Sequence, residues 1–494
     1  MQRKNSKKVS IKKGNTNDDK NNYTNKKSTN KKRILSPRTS QQNNNNFKKQ
    51  NKKKYDEKKY NNKKYNEILK SVLEENKPNK KILEIADFVI KQISNNLDHK
   101  KIRADVVLGG SVAKNVFLKN DFDCDVFVRF NYSDFKKKEK ELSNILEMVL
   151  SDFKPKRVHG SRDYFQFAFD RVNFEVIPVL KIKSLKQALN IMDYSPLHVD
   201  WFNKRANNEI RDCVRLLKLF CKAQNIYGAE SFINGFSGHV IDIISVYYDS
   251  FINVLKTAAN YWMEKFNNDE KIIIDVNNHH KGKALFVLNK SKIQGPLVVI
   301  DPIDPLRNAA ASLSYENFNI FLKASSAFLE KPSKDFFIAK VFDESKILER
   351  ALRNKKYLLM IKASPLKKSI DVAGCKLLKA YDFISAELKR NDFVIEEKGF
   401  YWNKNIEEPG VFYFIVKNPI LSKEKIIKGP NLKFKQAGVD FKKKHKKTFE
   451  KKGFVFAVEN RRIRSINDFI SNVINSDFLK DKVLKFNCFE FSNK

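Results

Sequence analysis

Apolar positions recur along most of the chain at two spacings, one typical of helices and the other of strands. Residues spaced three and four apart predict helices, whereas short β-branched and aromatic runs predict strands. The predicted helices span residues 65–76, 81–97 and 141–150, with a mostly helical region over 208–266. The predicted strands span residues 104–108, 122–128, 164–169, 172–179, 297–303, 357–362 and 410–416. This mixture predicts an α+β fold.

The pattern begins only after a segment that is too polar to form a core. Residues 1–60 contain 20 Lys or Arg against 4 Asp or Glu, a net charge of +16, together with a run of asparagines. Such a composition predicts a disordered basic tail. The whole chain of 494 residues has a formal net charge of +40, which favours a polyanionic partner. A genome of biased base composition is an alternative source of part of this lysine and asparagine.

The same sequence disfavours several classes of protein. No apolar run approaches 18 residues, so we expect no membrane span and no membrane partner, and the N-terminus lacks the apolar stretch of a secretory signal. The five cysteines include no Cys-x-x-Cys pair, which argues against a zinc site and against a disulfide framework. We therefore expect a cytoplasmic protein in a reducing compartment.

A glycine turn and a pair of carboxylates form the most informative local pattern. A short apolar strand leads into Gly109-Gly110-Ser111, where two glycines allow a tight bend and a close approach to phosphate. Asp123 and Asp125 follow in an apolar run, and their spacing places both carboxylates on one face of a strand. An isolated Asp-x-Asp is commonly a surface loop, but the apolar surroundings and the preceding turn favour a site for divalent metal ions.

A third carboxylate is expected from the strand over residues 172–179. Glu175 is the only acidic residue of this strand, and its side chain would join the site if the strand returns beside the aspartate pair. Three carboxylates can hold two hard cations, which can activate a ribose 3′-hydroxyl and neutralise a departing pyrophosphate. The residues alone therefore predict nucleotidyl transfer.

Five ordered motifs resemble the archaeal class I CCA-adding enzymes, which build the CCA end of tRNA without a nucleic-acid template. The similarity begins at about residue 66 and extends nearly to the C-terminus. The motifs are Gly-Gly-Ser-Val-Ala-Lys-Asn with Asp-Cys-Asp, Ser195-Pro-Leu-His198, Arg215-Leu-Leu-Lys218 with Asn225-Ile-Tyr227-Gly-Ala-Glu230, Gly235-Phe-Ser-Gly238, and Asp301-Pro to Ala309-Ala-Ala. The wider nucleotidyltransferase superfamily, including noncanonical poly(A) polymerases, shares the first motif, so the narrower resemblance rests on the others.

Composition and the resemblance together imply an architecture of four parts, the tail from composition and the other three from the resemblance. These are a disordered tail over residues 1–64, a polymerase-beta-like nucleotidyltransferase head with a mixed sheet over 65–200, a helical nucleotide-binding neck over 201–295, and α+β body and tail domains that bind tRNA over 296–494. The implied reaction adds CCA to tRNA that lacks all or part of this end, from CTP and ATP, with two Mg²⁺ ions as cofactors. The number of subunits stays open, with a homodimer as one alternative.

The resemblance also implies a role for individual residues. Asp123, Asp125 and Glu175 would hold the metal ions and act in catalysis. The implied nucleotide-binding residues are Gly110, Ser111, Lys114, His198, Lys218, Tyr227 and Arg307. Within that set, the serine and the first lysine would meet the triphosphate, the histidine, second lysine and tyrosine would grip triphosphate and sugar, and the arginine would present hydrogen bonds to the base. The chain departs from the family pattern at two of these positions, because the third acid is usually Asp and the first lysine is often Arg.

Each nucleotide-binding residue also has a structural interpretation. His198 could be a surface imidazole, Lys218 could extend along an apolar helix, and Tyr227 could belong to the core. Arg307 could pair locally with Asp301 or with Asp304. For the whole chain, the alternatives are a less selective RNA-tailing nucleotidyltransferase and a catalytically inactive RNA-binding protein on the same fold. The intact aspartate pair counts against inactivity, whereas a glutamate as the third acid favours it.

Overall fold

The computed structural model describes residues 62–119, 122–339 and 342–492. The predicted tail over 1–64 therefore lies almost wholly outside the described residues. The chain divides into residues 1–60 and a second unit over 61–494. The further division of this second unit into head, neck, body and tail stays a prediction.

A five-stranded mixed sheet forms the N-terminal part of the described chain. Its strand order is β1-β2-β5-β4-β3, and neighbouring strands are antiparallel except for β2 and β5, which run parallel. The parallel pair places the beginnings of both strands at one edge of the sheet. The elements are α1 (Asn62–Glu75), α2 (Lys81–His99), β1 (Ala104–Leu108), α3 (Gly110–Ala113), β2 (Cys124–Asn131), α4 (Tyr132–Phe135), α5 (Leu142–Val149), β3 (Lys156–Val158), β4 (Tyr164–Phe169) and β5 (Val172–Lys181).

Helices α2 and α5 pack against this sheet. Apolar residues three and four apart on α2, among them Ala86, Val89 and Ile93, are fully buried, and α5 buries a stripe of the same kind. They form one core with Val126 and Val128 of β2 and with the apolar residues of β5. Because alternate residues of β2 face this core, the residues between them face away from it. The sheet edge that carries the acidic residues is therefore supported from behind by packed side chains.

Residues 208–266 are mostly helical, as the apolar spacing predicts, and further helices lie before and after this region. The elements are α6 (Ser195–Asn203), α7 (Asn208–Ala223), α8 (Gly238–Tyr248), α9 (Phe251–Thr257), α10 (Met263–Asn267), β6 (Ile272–Ile274), α11 (Ala284–Val287), β7 (Leu297–Val299) and α12 (Tyr315–Glu330). The predicted strand over 297–303 is shorter in the structure. It ends at Val299 because the side chain of Asp301 accepts hydrogen bonds from the backbone N–H groups of Ile303 and Asp304, which turns the chain.

Two antiparallel sheets follow, with strand orders β14-β8-β10-β9 and β11-β13-β12. Helix α14 and the chain after β13 complete the core of the larger sheet. None of the described helices is long and apolar enough to cross a membrane. The elements are α13 (Glu344–Arg353), β8 (Tyr357–Pro365), α14 (Ile370–Arg390), β9 (Ile395–Tyr401), β10 (Gly410–Val416), β11 (Glu424–Asn431), α15 (Lys435–Lys444), β12 (Thr448–Lys451), β13 (Phe454–Asn460), α16 (Ile466–Phe469), α17 (Asp477–Lys480) and β14 (Val483–Phe491).

Candidate active site

The glycine turn lies against the first residues of β2. Gly110 has φ of +50°, and a Cβ at this position would lie 1.6 Å from Oδ2 of Asp125. A Cβ on Gly109 would lie 2.5 Å from the ring of Phe127. The backbone N–H of Gly109 also donates to the carbonyl oxygen of Asp125 at 2.8 Å. Only glycine, which has no Cβ, permits so close an approach of the turn to β2. The turn and the carboxylate of Asp125 are therefore fixed relative to each other.

The parallel pairing of β2 and β5 brings Glu175 to the aspartates, as the sequence predicts. Asp125 and Glu175 are direct register partners across the two strands, which places their Cα atoms about 4.8 Å apart. Asp123 lies one residue before β2 rather than within it, and it is exposed. Its charge nevertheless acts on both of the other carboxylates. Three acidic side chains therefore share one edge of the sheet.

The closeness of these three carboxylates, together with their burial, raises the pKa of Asp125 and of Glu175. Burial raises the pKa of Asp125 to about 7, to which the negative charges of Glu175 and Asp123 contribute, against the opposing charges of Lys114 and Lys218. Burial also raises the pKa of Glu175, although Gln166 donates a hydrogen bond of 2.6 Å to its Oε1 atom. The repulsion between like charges would be relieved by a cation.

The donor set of this edge fits Mg²⁺ or a similar hard cation. All three side chains offer carboxylate oxygens, which are the ligands such ions prefer. Cys124 lies between the two aspartates in sequence, but its thiol is fully buried in the core. Burial raises the pKa of this thiol to about 12, so it is not a soft ligand of the site.

Lys114 connects the turn to helix α8. Its Nζ atom forms an ion pair of 2.7 Å with Oδ2 of Asp242, and both side chains are almost completely buried. A buried ion pair of this kind requires a fixed geometry, because either charge alone would be strongly unfavourable there. The positive charge lies near enough to Asp125 to favour its ionised form. The structure thus places Lys114 at the site and gives it a protein partner.

A second cluster is organised by the buried carboxylate of Asp301. Oδ1 and Oδ2 of this residue lie 2.9 and 3.1 Å from Nε2 of His198, and Oδ2 lies 3.2 Å from Nε2 of His239. Nη1 of Arg307 donates to Oδ2 at 2.7 Å. Burial disfavours ionisation of Asp301, but the hydrogen bonds from the two histidines outweigh it and hold its pKa well below the usual range. His198 and Arg307 are thus brought together by one carboxylate.

The His198, His239 and Asp301 atoms are close enough together to be considered as ligands of a metal ion. The hydrogen bonds account for the same arrangement, because the N–H of each imidazole can donate a hydrogen bond to the carboxylate. The guanidinium of Arg307 on the same carboxylate would also repel a cation. We therefore interpret this cluster as a hydrogen-bonded group that orients Arg307 and His198.

Lys218 and Tyr227 lie on the side of the site formed by α7 and the loop after it. Lys218 is buried, and its Nζ donates to the carbonyl oxygen of Val116 at 3.0 Å. The hydroxyl of Tyr227 lies so close to Gly238 that a Cβ there would come within 3.2 Å of it. The ammonium of Lys222 lies 4.9 Å from the centre of the tyrosine ring. Tyr227 is therefore half-buried and contacts the first residue of α8.

Comparison with known proteins supports one family. Residues 90–196 match the nucleotidyltransferase domain, and residues 212–338 match the second domain of tRNA nucleotidyltransferases. The CCA-adding enzyme of Methanocaldococcus jannaschii is 30% identical over 435 residues, which cover 85% of this chain and 93% of that enzyme. The CCA-adding enzyme of Nanoarchaeum equitans is 34% identical over 264 residues, which cover 53% of this chain and 64% of that enzyme.

This chain belongs to the archaeal class I CCA-adding enzymes. It is an enzyme of the nucleotidyltransferase class, as its glycine turn and acidic residues predict. Among solved structures, E. coli CdnC with ATP is similar over 55% of this chain and 94% of its own, with a TM-score of 0.40 and 16% identity.

Sequence reasoning missed several residues of this CCA-adding enzyme's site. Asp242 is a lone acid in the otherwise apolar first turns of α8, and a buried charge in such a helix indicates a partner. His239 follows the Gly235–Gly238 motif directly, but nothing in its spacing indicated that it contacts Asp301. Gln166 faces Glu175 across β4 and β5, a pairing that only the register of the sheet reveals.

Proposed function

We propose that this protein adds CCA to the 3′ end of tRNA from CTP and ATP, with Asp123, Asp125 and Glu175 as the carboxylates of the reaction. The observation that carries this assignment is the register pairing of Asp125 with Glu175 directly beside the turn at Gly110. It gathers acidic side chains where a triphosphate can approach the backbone closely. Family membership supplies the identity of the RNA and of the nucleotides.

In this reaction the 3′-oxygen of tRNA bonds to the α-phosphorus of the nucleotide, and the bond to pyrophosphate breaks. The three carboxylates would hold divalent cations, which supply Lewis acidity for the attacking hydroxyl and charge neutralisation for pyrophosphate. Ser111 follows Gly110 in the turn, and its hydroxyl would be offered to the triphosphate. Lys114 and Lys218 add positive charge on the side of Asp125. These groups orient the reactants, which supports in-line attack.

The cluster around Asp301 is proposed to position the nucleotide. Asp301 accepts from Nη1 of Arg307, so the remaining N–H groups of the guanidinium are available to the edge of a base. His198 is held on the same carboxylate, and Lys218 and Tyr227 complete the proposed contacts to triphosphate and sugar. The guanidinium is a planar array of donors, which suits discrimination between CTP or ATP and the other nucleotides.

The test is end sequencing of tRNA that stops at position 73, after incubation with each nucleotide alone and with all four together in Mg²⁺. The expected product is CCA. Asp123→Asn and Asp125→Asn should each lower incorporation by more than about a hundredfold with little change in tRNA affinity, because they remove charge where the bond forms.

Asp105→Asn is the matched control, since this aspartate lies in the neighbouring strand and pairs with Arg129 and Lys181. It should retain most of the activity. Long tails made of a single type of nucleotide would instead support the RNA-tailing alternative. Full activity of the Asp125→Asn variant would contradict the assignment of the carboxylates. We also propose that the site holds two Mg²⁺ ions, that the protein acts in the cytoplasm, and that a homodimer is one possible assembly.

A further inference from the structure

Four successive backbone carbonyls after the glycine turn each accept a hydrogen bond from a side chain of the neighbouring helices. Asn203, the last residue of α6, donates to the carbonyl of Ala113 at 3.1 Å. On α7, Arg211 donates to the carbonyl of Lys114 at 3.1 Å and Arg215 to that of Asn115 at 2.5 Å. The Nζ of Lys218 donates to the carbonyl of Val116 at 3.0 Å. We refer to these four donors as the carbonyl clamp.

The spacing of the clamp residues on α7 explains how one helix reaches consecutive carbonyls. Arg211, Arg215 and Lys218 are four and three residues apart, so they lie on one face of the helix. Their targets advance by one residue each, along a segment in which Asn115 has φ of +52°. Arg211 is itself held at the carbonyl of Ala206, and Arg215 at the carboxylate of Asp212. The donors are therefore held in place by further contacts.

These carbonyls need external partners. The last carbonyls of a helix have no intrahelical donor, and α3 is a single turn that ends at Ala113. Of the four residues, Lys114 and Val116 are buried, and leaving a buried carbonyl unpaired is unfavourable by about 1–3 kcal/mol. At the N-terminal end of the segment over 109–116, the N–H of Gly109 donates to the carbonyl of Asp125. Inside the segment, the N–H of Val116 donates to the carbonyl of Ser111. The segment over 109–116 is thus fixed at both ends.

We infer that Asn203, Arg211 and Arg215 are positioning residues for the nucleotide, an inference that rests on the proposed function. By holding the carbonyls of residues 113–115, they keep Ser111 and Lys114 in the geometry that receives the triphosphate. The clamp also joins the nucleotidyltransferase domain to the domain that begins at about residue 212. The affinity of the site for nucleotide therefore depends on residues that do not touch it.

The test is the dissociation constant of CTP and of ATP with Mg²⁺, measured by isothermal titration without tRNA, for Arg211→Ala and Arg215→Ala. Each should raise the dissociation constant by about tenfold or more, since a tenfold change corresponds to about 1.4 kcal/mol. Arg211→Lys and Arg215→Lys keep a cation that can donate to a carbonyl, so they should recover part of the affinity. Arg205→Ala is the matched control.

Arg205 suits this purpose because it precedes α7, packs over the ring of Trp201 and donates to that residue's carbonyl, outside residues 113–116. Dissociation constants of the two alanine variants within about twofold of this control would overturn the inference. If Arg215→Ala does not fold, Arg211→Ala and the two lysine variants decide the matter. A wild-type protein that binds neither nucleotide would instead overturn the proposed function.

Discussion

At the residue scale, Gly110 is the position where the turn tolerates least change. Gly110→Ala would strain a backbone with positive φ and force a methyl group into the carboxylate of Asp125. We expect the free energy of unfolding to fall by about 2 kcal/mol or more, because strain and overpacking each contribute about 1–3 kcal/mol. Nucleotide incorporation should also fall by more than about tenfold. Urea unfolding and the incorporation assay measure the two effects.

Gly282→Ala separates the effect of backbone strain at positive φ from the effect of a steric clash with a neighbouring side chain. Gly282 also has positive φ, at +82°, but a Cβ there would contact nothing within 4 Å. This variant should lose only about 1 kcal/mol of stability and keep its activity. Equal losses in the two variants would show that the contact with Asp125 has no effect of its own.

His239 gives a prediction on pH at the same scale. Burial lowers the pKa of His239 to about 4, although Asp301 accepts a hydrogen bond from its ring, and the neighbouring His198 and Lys114 also disfavour its protonation. Between about pH 6.5 and 4 the unfolded chain therefore binds a proton that the folded chain does not. The free energy of unfolding should fall as pH decreases through this window, by about 1–3 kcal/mol from this residue.

Replacing the histidine tests this directly. In His239→Gln that contribution to the pH dependence should disappear, as judged by urea unfolding of variant and wild type at several pH values. His99→Gln is the control, because this side chain is exposed at the end of α2. A constant difference between wild type and His239→Gln from pH 7 to pH 4.5 would be inconsistent with a suppressed pKa.

At the scale of elements, sequence periodicity predicted the bounds of single strands better than it predicted which distant elements contact each other. The bounds of β1, β4 and β10 are confirmed to the residue, because each is a short apolar run that ends at turn residues. The proximity of Glu175 to Asp125 is also confirmed, but it depended on β5 returning parallel to β2. The carbonyl clamp escaped prediction, since side-chain donors to a backbone segment about 100 residues away leave no periodic signal.

The pairing of β4 with β5 supports a prediction on Gln166. Its amide holds Oε1 of Glu175, whose side chain is one methylene longer than that of an aspartate. Gln166→Ala should leave this longer carboxylate free to rotate, so the Mg²⁺ concentration for half-maximal activity should rise by about tenfold. Direct Mn²⁺ binding should weaken in parallel. Gln187→Ala is the control, because this half-buried glutamine after β5 bonds to the backbone N–H of Lys183 and not to Glu175.

The double replacement sharpens this test. If Gln166 acts by restraining the extra methylene of Glu175, its loss should matter less in a Glu175→Asp background, and the two effects should not add. Additive effects on Mn²⁺ affinity would show that the glutamine acts elsewhere.

At the scale of the whole molecule, charge and catalysis are separable. Residues 1–60 carry +16 of the net charge of +40, whereas each proposed site residue lies at or after Gly110. Composition alone indicated this separation, because a polyanionic substrate can be attracted by charge far from the site where bonds change. The contributions of the two parts to tRNA binding depend on how many phosphates each neutralises.

Deletion of residues 1–60 should leave CCA addition at saturating tRNA unchanged, because every proposed site residue lies in the unit over 61–494. If the segment contacts RNA, the truncated protein should bind tRNA more weakly at low salt, and log K should depend less steeply on log[salt], since fewer counterions are released. The basic stretch over residues 442–447, with Arg461, Arg462 and Arg464, should still bind phosphate. An unchanged salt slope would mean that the basic segment does not contact tRNA. A loss of turnover at saturation would place part of the catalytic unit before residue 61.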